Sequence, residues 1–303
     1  MQDNEQKFLT DIQSDDADVR FAAWRQAGEV DPKVIPQLGR LAASDKPGVA
    51  KAAREALNTI VHSVGNQTGT AKRAEVVKRL LEVAAGDYAL PVRTQAFRQL
   101  SLIAGEDAVP ALVKWIHHQD LREEVVFCVE RIPGNAPLKA LVACYKDAAE
   151  DFKPRILAAL GHRRAEEALA LCLEAMRSPN KEIAMAGMRA FGRIGKKPAT
   201  APRFPETKGL SEWQKIEHLD SLLRCADAQV EQGNPSEAMK TYRSALDRPE
   251  EHWQCAAIIG IAKIGTPEAA AAIFPKLGSR QRTVRITAEK AWAGMAKAAA
   301  ERA

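Results

Sequence analysis

Aromatic side chains are scarce in this chain: phenylalanine, tryptophan and tyrosine make up 5% of 303 residues. With alanine abundant, that composition leans to helix rather than strand. Long hydrophobic runs are missing too. None approaches the roughly 18 consecutive apolar residues of a membrane span, which excludes membrane insertion by a helix. The five cysteines, Cys128, Cys144, Cys172, Cys225 and Cys255, form no CxxC pair, and their number is odd. A zinc framework and a disulfide scaffold are therefore both excluded. Net charge is small, 44 basic against 39 acidic residues or +5, too little for a dedicated polyanion binder on charge alone. Residues 1–8 hold neither a basic nor an apolar leader region, so a cytoplasmic protein is expected, with export from a trimmed precursor left open. Catalytic signatures are absent as well: there is no GxGxxG, GxxxxGK[ST], HExxH or GxSxG.

What the chain does have is a repeat. Segments beginning at Val19, Val49, Val92, Leu121, Phe152, Ile183, Trp253 and Val284 align. Five of the seven steps between them share one period, about 30 residues, the length of a helical-hairpin repeat. Positions four, eight and eleven residues further on are apolar or glycine throughout, except for Arg163. At about 100° per residue these offsets converge on one narrow stripe along an α-helix. A polar turn with Asp16, Asp45, Asp87, Asp120, Asp151 or Asn180 precedes most of these helices, and those residues are expected to cap them. A second apolar segment comes before each turn, for example 34–41, 109–116, 138–145 and 168–176. Each repeat is thus a helical hairpin that must stack on its neighbours to bury its stripe. The predicted fold is all-α, a right-handed α-solenoid of stacked hairpins.

The segment DADVRFAAW at 16–24, with PVRTQAF at 91–97 and VRITAEKA at 284–291, resembles HEAT-like repeats of the phycobilisome-lyase type, within the armadillo-type solenoids. An arginine follows the leading apolar residue at Arg20, Arg93, Arg122 and Arg285, and is replaced at Ala50, Ala184 and Gln254. Two steps are longer. One contains the Gly/Asn/Thr-rich stretch 62–70, expected to lengthen a loop. The other contains Pro198, Pro202 and Pro205, expected to form a linker or strap over 196–210. The hairpin near 219–248, with Ala226, Gly233-Asn234, Ala238, Tyr242 and Ala245, resembles a tetratricopeptide unit. The expected organisation is a HEAT-like array over 1–195, the linker or strap over 196–210, and C-terminal helical repeats over 211–303.

Neither the histidines nor the acidic cluster at Asp11, Asp15, Asp16 and Asp18 has metal-ligand spacing, so no metal and no cofactor are expected. The position six residues into each repeat helix lies on the side opposite the stripe, and resemblance to HEAT-like solenoids implies that it lines the concave side. Those positions include Arg25, Arg98, Phe127, Arg189 and Lys290, with Arg54 and Arg193 nearby. These seven are the candidate contacts of a non-enzymatic scaffold that binds a protein or peptide partner, with basic ends and an apolar centre. Two alternatives follow from the resemblance. One is a nucleic-acid-binding protein of the DNA glycosylase-like class; the other is a lyase or chaperone-type helper gripping an acidic client. A further excess of charge lies in 276–302, seven basic residues against two acidic.

Overall fold

The computed structural model describes residues 2–196 and 208–301, with backbone only at 2 and 3. Every regular element among them is helical. The chain divides into two compact units, Met1–Ala148 and Ala149–Ala303. The expected strap at 196–210 lies largely outside the described residues.

In the first unit α1 (Gln2–Ile12) precedes four front-layer helices, α2 (Ala17–Arg25), α4 (Pro47–Val64), α6 (Leu90–Ile103) and α8 (Arg122–Arg131). Behind them lie α3 (Ile35–Leu41), α5 (Ala71–Ala85), α7 (Val109–Leu112) and α9 (Ala136–Asp147). Successive front helices pack side by side, and each is backed by its hairpin partner. The predicted stripe is the buried seam: Ala53, Leu57, Ile60, Ala96, Leu100, Ile103, Val125, Val129 and Ile132 are all nearly inaccessible. Each large apolar side chain so buried contributes about 1.5 to 3 kcal/mol. At the first repeat the stripe is less covered, and Val19 is exposed.

The second unit has front helices α10 (Lys153–His162), α12 (Lys181–Ile194), α13 (Glu212–Glu231), α15 (Glu251–Ile264) and α17 (Arg282–Ala300). Its back layer is α11 (Leu169–Ala175), α14 (Pro235–Leu246) and α16 (Pro267–Ile273). Two front helices, α12 and α13, pack directly together. They run parallel, because their contacts ascend in step. The amide of Gln214 donates to Glu182, Arg189 pairs with Glu217, and the side-chain amide of Gln232 donates to the carbonyl of Gly195. The tetratricopeptide-like segment is indeed a helical hairpin, α13 with α14, turning at Gly233 (φ +76°). Ala226, Ala238, Tyr242 and Ala245 are among its buried residues, as the spacing predicts. Tyr242 is seated against Gly260 of α15, where a methyl group would overlap its ring.

Several local expectations are corrected. Of the predicted caps Asp16 and Asn180 accept a first-turn amide, at 2.8 and 3.0 Å. Asp45, Asp87, Asp120 and Asp151 are not N-caps, those positions falling to Lys46, Ala89, Leu121 and Phe152. At α4, α6 and α10 a proline in the first turn removes one of the amide donors left unpaired at a helix start. The 62–70 stretch is only partly loop, since α4 continues to Val64.

A different device orders the turns. Ser14, Ser44, Ser178 and Ser279 each stand five residues before a leading apolar residue. Each hydroxyl accepts the amide two residues on, from Asp16, Lys46, Asn180 and Gln281, at 3.1 to 3.2 Å. The motif arginines close the same turns: Arg20 donates to the carbonyl of Ser14 at 2.6 Å and Arg285 to that of Ser279 at 2.8 Å. Where the arginine is missing, Gln254 does the same work, donating to the carbonyl of Arg248 at 2.7 Å. At Arg20 and Arg285 the recurrent arginine is thus structural.

Three outcomes are expected. Arg285→Leu lowers unfolding free energy by about 1.5 kcal/mol, a charge-assisted bond to a carbonyl, whereas Arg285→Gln recovers most of it, as Gln254 shows; urea titration measures both. Gly260→Ala costs about 1 to 3 kcal/mol by forcing Tyr242 from its seat. Burial pushes the thiols of Cys128, Cys172 and Cys225 up to about 12. A thiol reagent at pH 8 should therefore modify only the partly exposed Cys144 and Cys255 in the native protein, and all five after denaturation.

Candidate partner-binding faces

The seven candidate residues are divided between the units. In the first, Arg25 ends α2 exposed, with its guanidinium 5.6 Å from the centre of the Phe21 ring. Phe21 in turn meets Trp24 edge-on at 5.1 Å and is 49% exposed. Arg54, on α4, donates to the carbonyl of Ala42 at 3.0 Å, so it ties the end of α3 in place. Arg98, on α6, forms a two-pronged ion pair with Glu124 of α8, at 2.6 and 2.9 Å. That bond raises its already high pKa. Phe127 stands one turn beyond Glu124, half-buried, with the Arg131 guanidinium 3.7 Å from its ring centre. Leu102, one turn beyond Arg98, is 59% exposed.

The front of this unit therefore presents aromatic and aliphatic surface interleaved with guanidinium groups that are stacked or paired. Phe21, Leu102 and Arg131 belong to it and were not among the seven. Their signal was available: they sit two and ten places into their repeats, flanking the row of sixth positions on the helical wheel.

In the second unit, Arg189 of α12 pairs with Glu217 of α13 at 2.5 Å. Arg193, one turn on, is half-buried and has a partner within the protein. Lys290, on α17, is exposed and has no ion pair among the described residues. Ile259 of α15 is exposed in the same row, and Trp213 and Ile216 are exposed on α13. Among the tryptophans Trp253 alone is buried, and Trp213 is 67% exposed. Trp213 opens α13, the front helix outside the repeat alignment.

The basic C-terminal segment is partly consumed by the fold. Lys276 donates to the carbonyl of Leu246 and the side chain of Gln254, both at 2.8 Å, and Arg285 closes its turn. Two recesses stand out. An apolar one of about 550 Å3 lies between α5 and α7, floored by Phe97 and Leu112. A polar one of about 360 Å3 lies toward the C-terminal ends of α10, α12, α13 and α15, and Arg193 lines it. Among the described residues, no group of three or more His, Cys, Asp or Glu could hold a metal, and no helix is long and apolar enough to cross a membrane.

Comparison with known proteins gives fold-level likeness alone. No protein family and no curated protein matches the chain. The crystal structure of an engineered protein is 19% identical, with 96% of this chain and 88% of that one covered and a TM-score of 0.41. That of importin beta is 12% identical, covering 97% of this chain and 52% of importin beta, with a TM-score of 0.46. The chain spans about half the length of importin beta. The all-α, helical-repeat assignment rests on the helices themselves.

The ion pairs linking adjacent front helices give a testable outcome. Arg98→Glu sets two carboxylates together and should lower the thermal midpoint by a few degrees, and adding Glu124→Arg should restore it. Because the Arg98 side of the pair is largely exposed, the coupling in a double-mutant cycle should be about 1 kcal/mol or less.

Proposed function

We propose that this protein is a non-enzymatic scaffold whose front-layer faces bind a protein or peptide partner. The observation that carries the proposal is the composition of the row in the first unit. Exposed Phe21, Leu102 and half-buried Phe127 alternate there with guanidinium groups already stacked or paired. Aromatic and arginine anchors in shallow relief are what a protein interface uses. A groove that tracks phosphates needs uncommitted cations in series, because its affinity comes from charge neutralisation. Arg98 and Arg189 are each bound to a carboxylate of the next helix, which favours the protein-binding reading over the nucleic-acid one. No arrangement among the described residues favours the lyase or chaperone-type alternative.

Peptides selected from a random displayed library on the immobilised full chain provide the test. Arg25→Glu and Phe127→Ala should each weaken the selected peptides by about tenfold, as interface anchors do. The thermal midpoint should shift by no more than a few degrees. Generic duplex DNA should show little binding in an anisotropy titration at about 50 mM salt. Tight DNA binding that collapses by about 200 mM salt, or peptides indifferent to both substitutions, would overturn the assignment.

A further inference from the structure

At one edge of the second unit the front helices end in similar ways, and one ending is out of pattern. The chain leaves α12, α13 and α15 through left-handed residues, Gly195 (φ +72°), Gly233 (φ +76°) and Gly265 (φ +69°). Glycine is the usual choice there, having no Cβ to clash with the following carbonyl. The chain leaves α10 in the same manner. The amide of Arg164 donates to the carbonyl of Gly161 at 3.0 Å, and that of Ala165 to Leu160 at 3.1 Å, closing the terminal turn. The left-handed residue at this ending is Arg164, with φ +48°, the one non-glycine residue of positive φ among those described. An L-residue with a Cβ is disfavoured there by about 1 kcal/mol. The fold has three examples of the cheaper solution beside it.

Helix-end electrostatics does not account for the exception. A cation does stabilise the C-terminal carbonyls of a helix, but it can do so from an ordinary last-turn position, as Arg193 and Lys263 do on α12 and α15. What Arg164 adds is a side chain in the polar recess of about 360 Å3, where Arg193, Arg224 and Lys263 also stand. One cation comes from the end of α10 and one from each of α12, α13 and α15. The recess also holds Asp227 and Glu231, and much of its charge is spoken for. Asp227 accepts from the Tyr242 hydroxyl at 2.7 Å and from Lys263 at 3.3 Å, and Arg224 pairs with Asp220 at 2.7 Å. Arg164 is exposed and has no side-chain hydrogen bond or ion pair among the described residues.

We infer that this recess is a carboxylate-recognition subsite for an acidic peptide segment, with Arg164 held out of its preferred backbone conformation to supply the uncommitted guanidinium. The inference rests on the protein-binding function proposed above and names the chemistry of one part of the partner. Occupancy by a peptide follows from the small volume, which suits a side chain rather than a continuous phosphate backbone, and its acidic character follows from the four cations that outnumber the two carboxylates in the lining.

Fluorescein-labelled hexaglutamate, titrated by anisotropy into the full chain at about 50 and 200 mM salt, tests it. Binding to the unaltered protein is expected, and Arg164→Gly should weaken it by about tenfold, the worth of one charge-assisted hydrogen bond. Its thermal midpoint should stay constant or rise as the strain is relieved. Arg164→Lys should retain part of the affinity. Unchanged affinity in Arg164→Gly, or no binding by the unaltered protein, would overturn the inference. So would a lowered midpoint with unchanged affinity, which would make Arg164 a helix-end residue. Preference for labelled duplex DNA, lost in Arg164→Gly, would reassign the recess to phosphate. Library peptides that depend on Phe127 report on the first unit, so their loss or survival is independent of these outcomes.

Discussion

Everything in this protein depends on lateral burial of one apolar stripe per front helix. A single hairpin leaves that stripe half-covered, and only the adjacent front helix completes it. The requirement explains why Ala53, Ala96 and Ala257 are alanines: small side chains at the centre of the seam let neighbouring helices approach closely. It also explains where polar chemistry is allowed. Side chains on the far side of the helix from the stripe are released from packing, and the turns at the helix ends need only keep register. Candidate binding residues and structural ones therefore occupy separate strips of the same helices.

The stripe was legible because helical periodicity is a local property, visible within three turns of chain. So was the hairpin at 219–248, since Ala226, Ala238, Tyr242 and Ala245 each carry their packing role in their size and spacing. The caps were misjudged because an aspartate before a helix reads alike whether it accepts an amide or not, and at α4, α6 and α10 the proline that removes a first-turn donor lies a few positions beyond. The recurrent arginine was noticed as a family trait, and its task could not be read. Its partner is a backbone carbonyl on the turn before it, and carbonyls leave no trace in sequence. Gln254, counted as a departure, performs the same bond.

The binding face was legible in register and illegible in charge. Arg98 and Arg189 look like free cations on a helical wheel. Their carboxylate partners are 26 and 28 residues away, on helices whose lateral offset the wheel does not contain. The membership of α13 in the front layer was hidden for a related reason. It lacks the leading apolar-arginine motif, and its alignment appears only in contacts with α12 and α15.

The parallel pairing of α12 with α13 separates two kinds of continuity that coincide elsewhere in the unit. Other neighbouring front helices of this unit are joined through a back-layer helix, so the covalent path and the stack advance together. From Ile194 to Glu212 the stack advances by side-to-side adhesion of the two front helices. The Arg189–Glu217 pair, Gly192 seated on the carbonyl of Ser221 and the Gln232–Gly195 bond all contribute to it. All three are made by residues of the two helices and of their C-terminal ends. A chain cut within this connection would leave two fragments that still share these contacts across the helix pair.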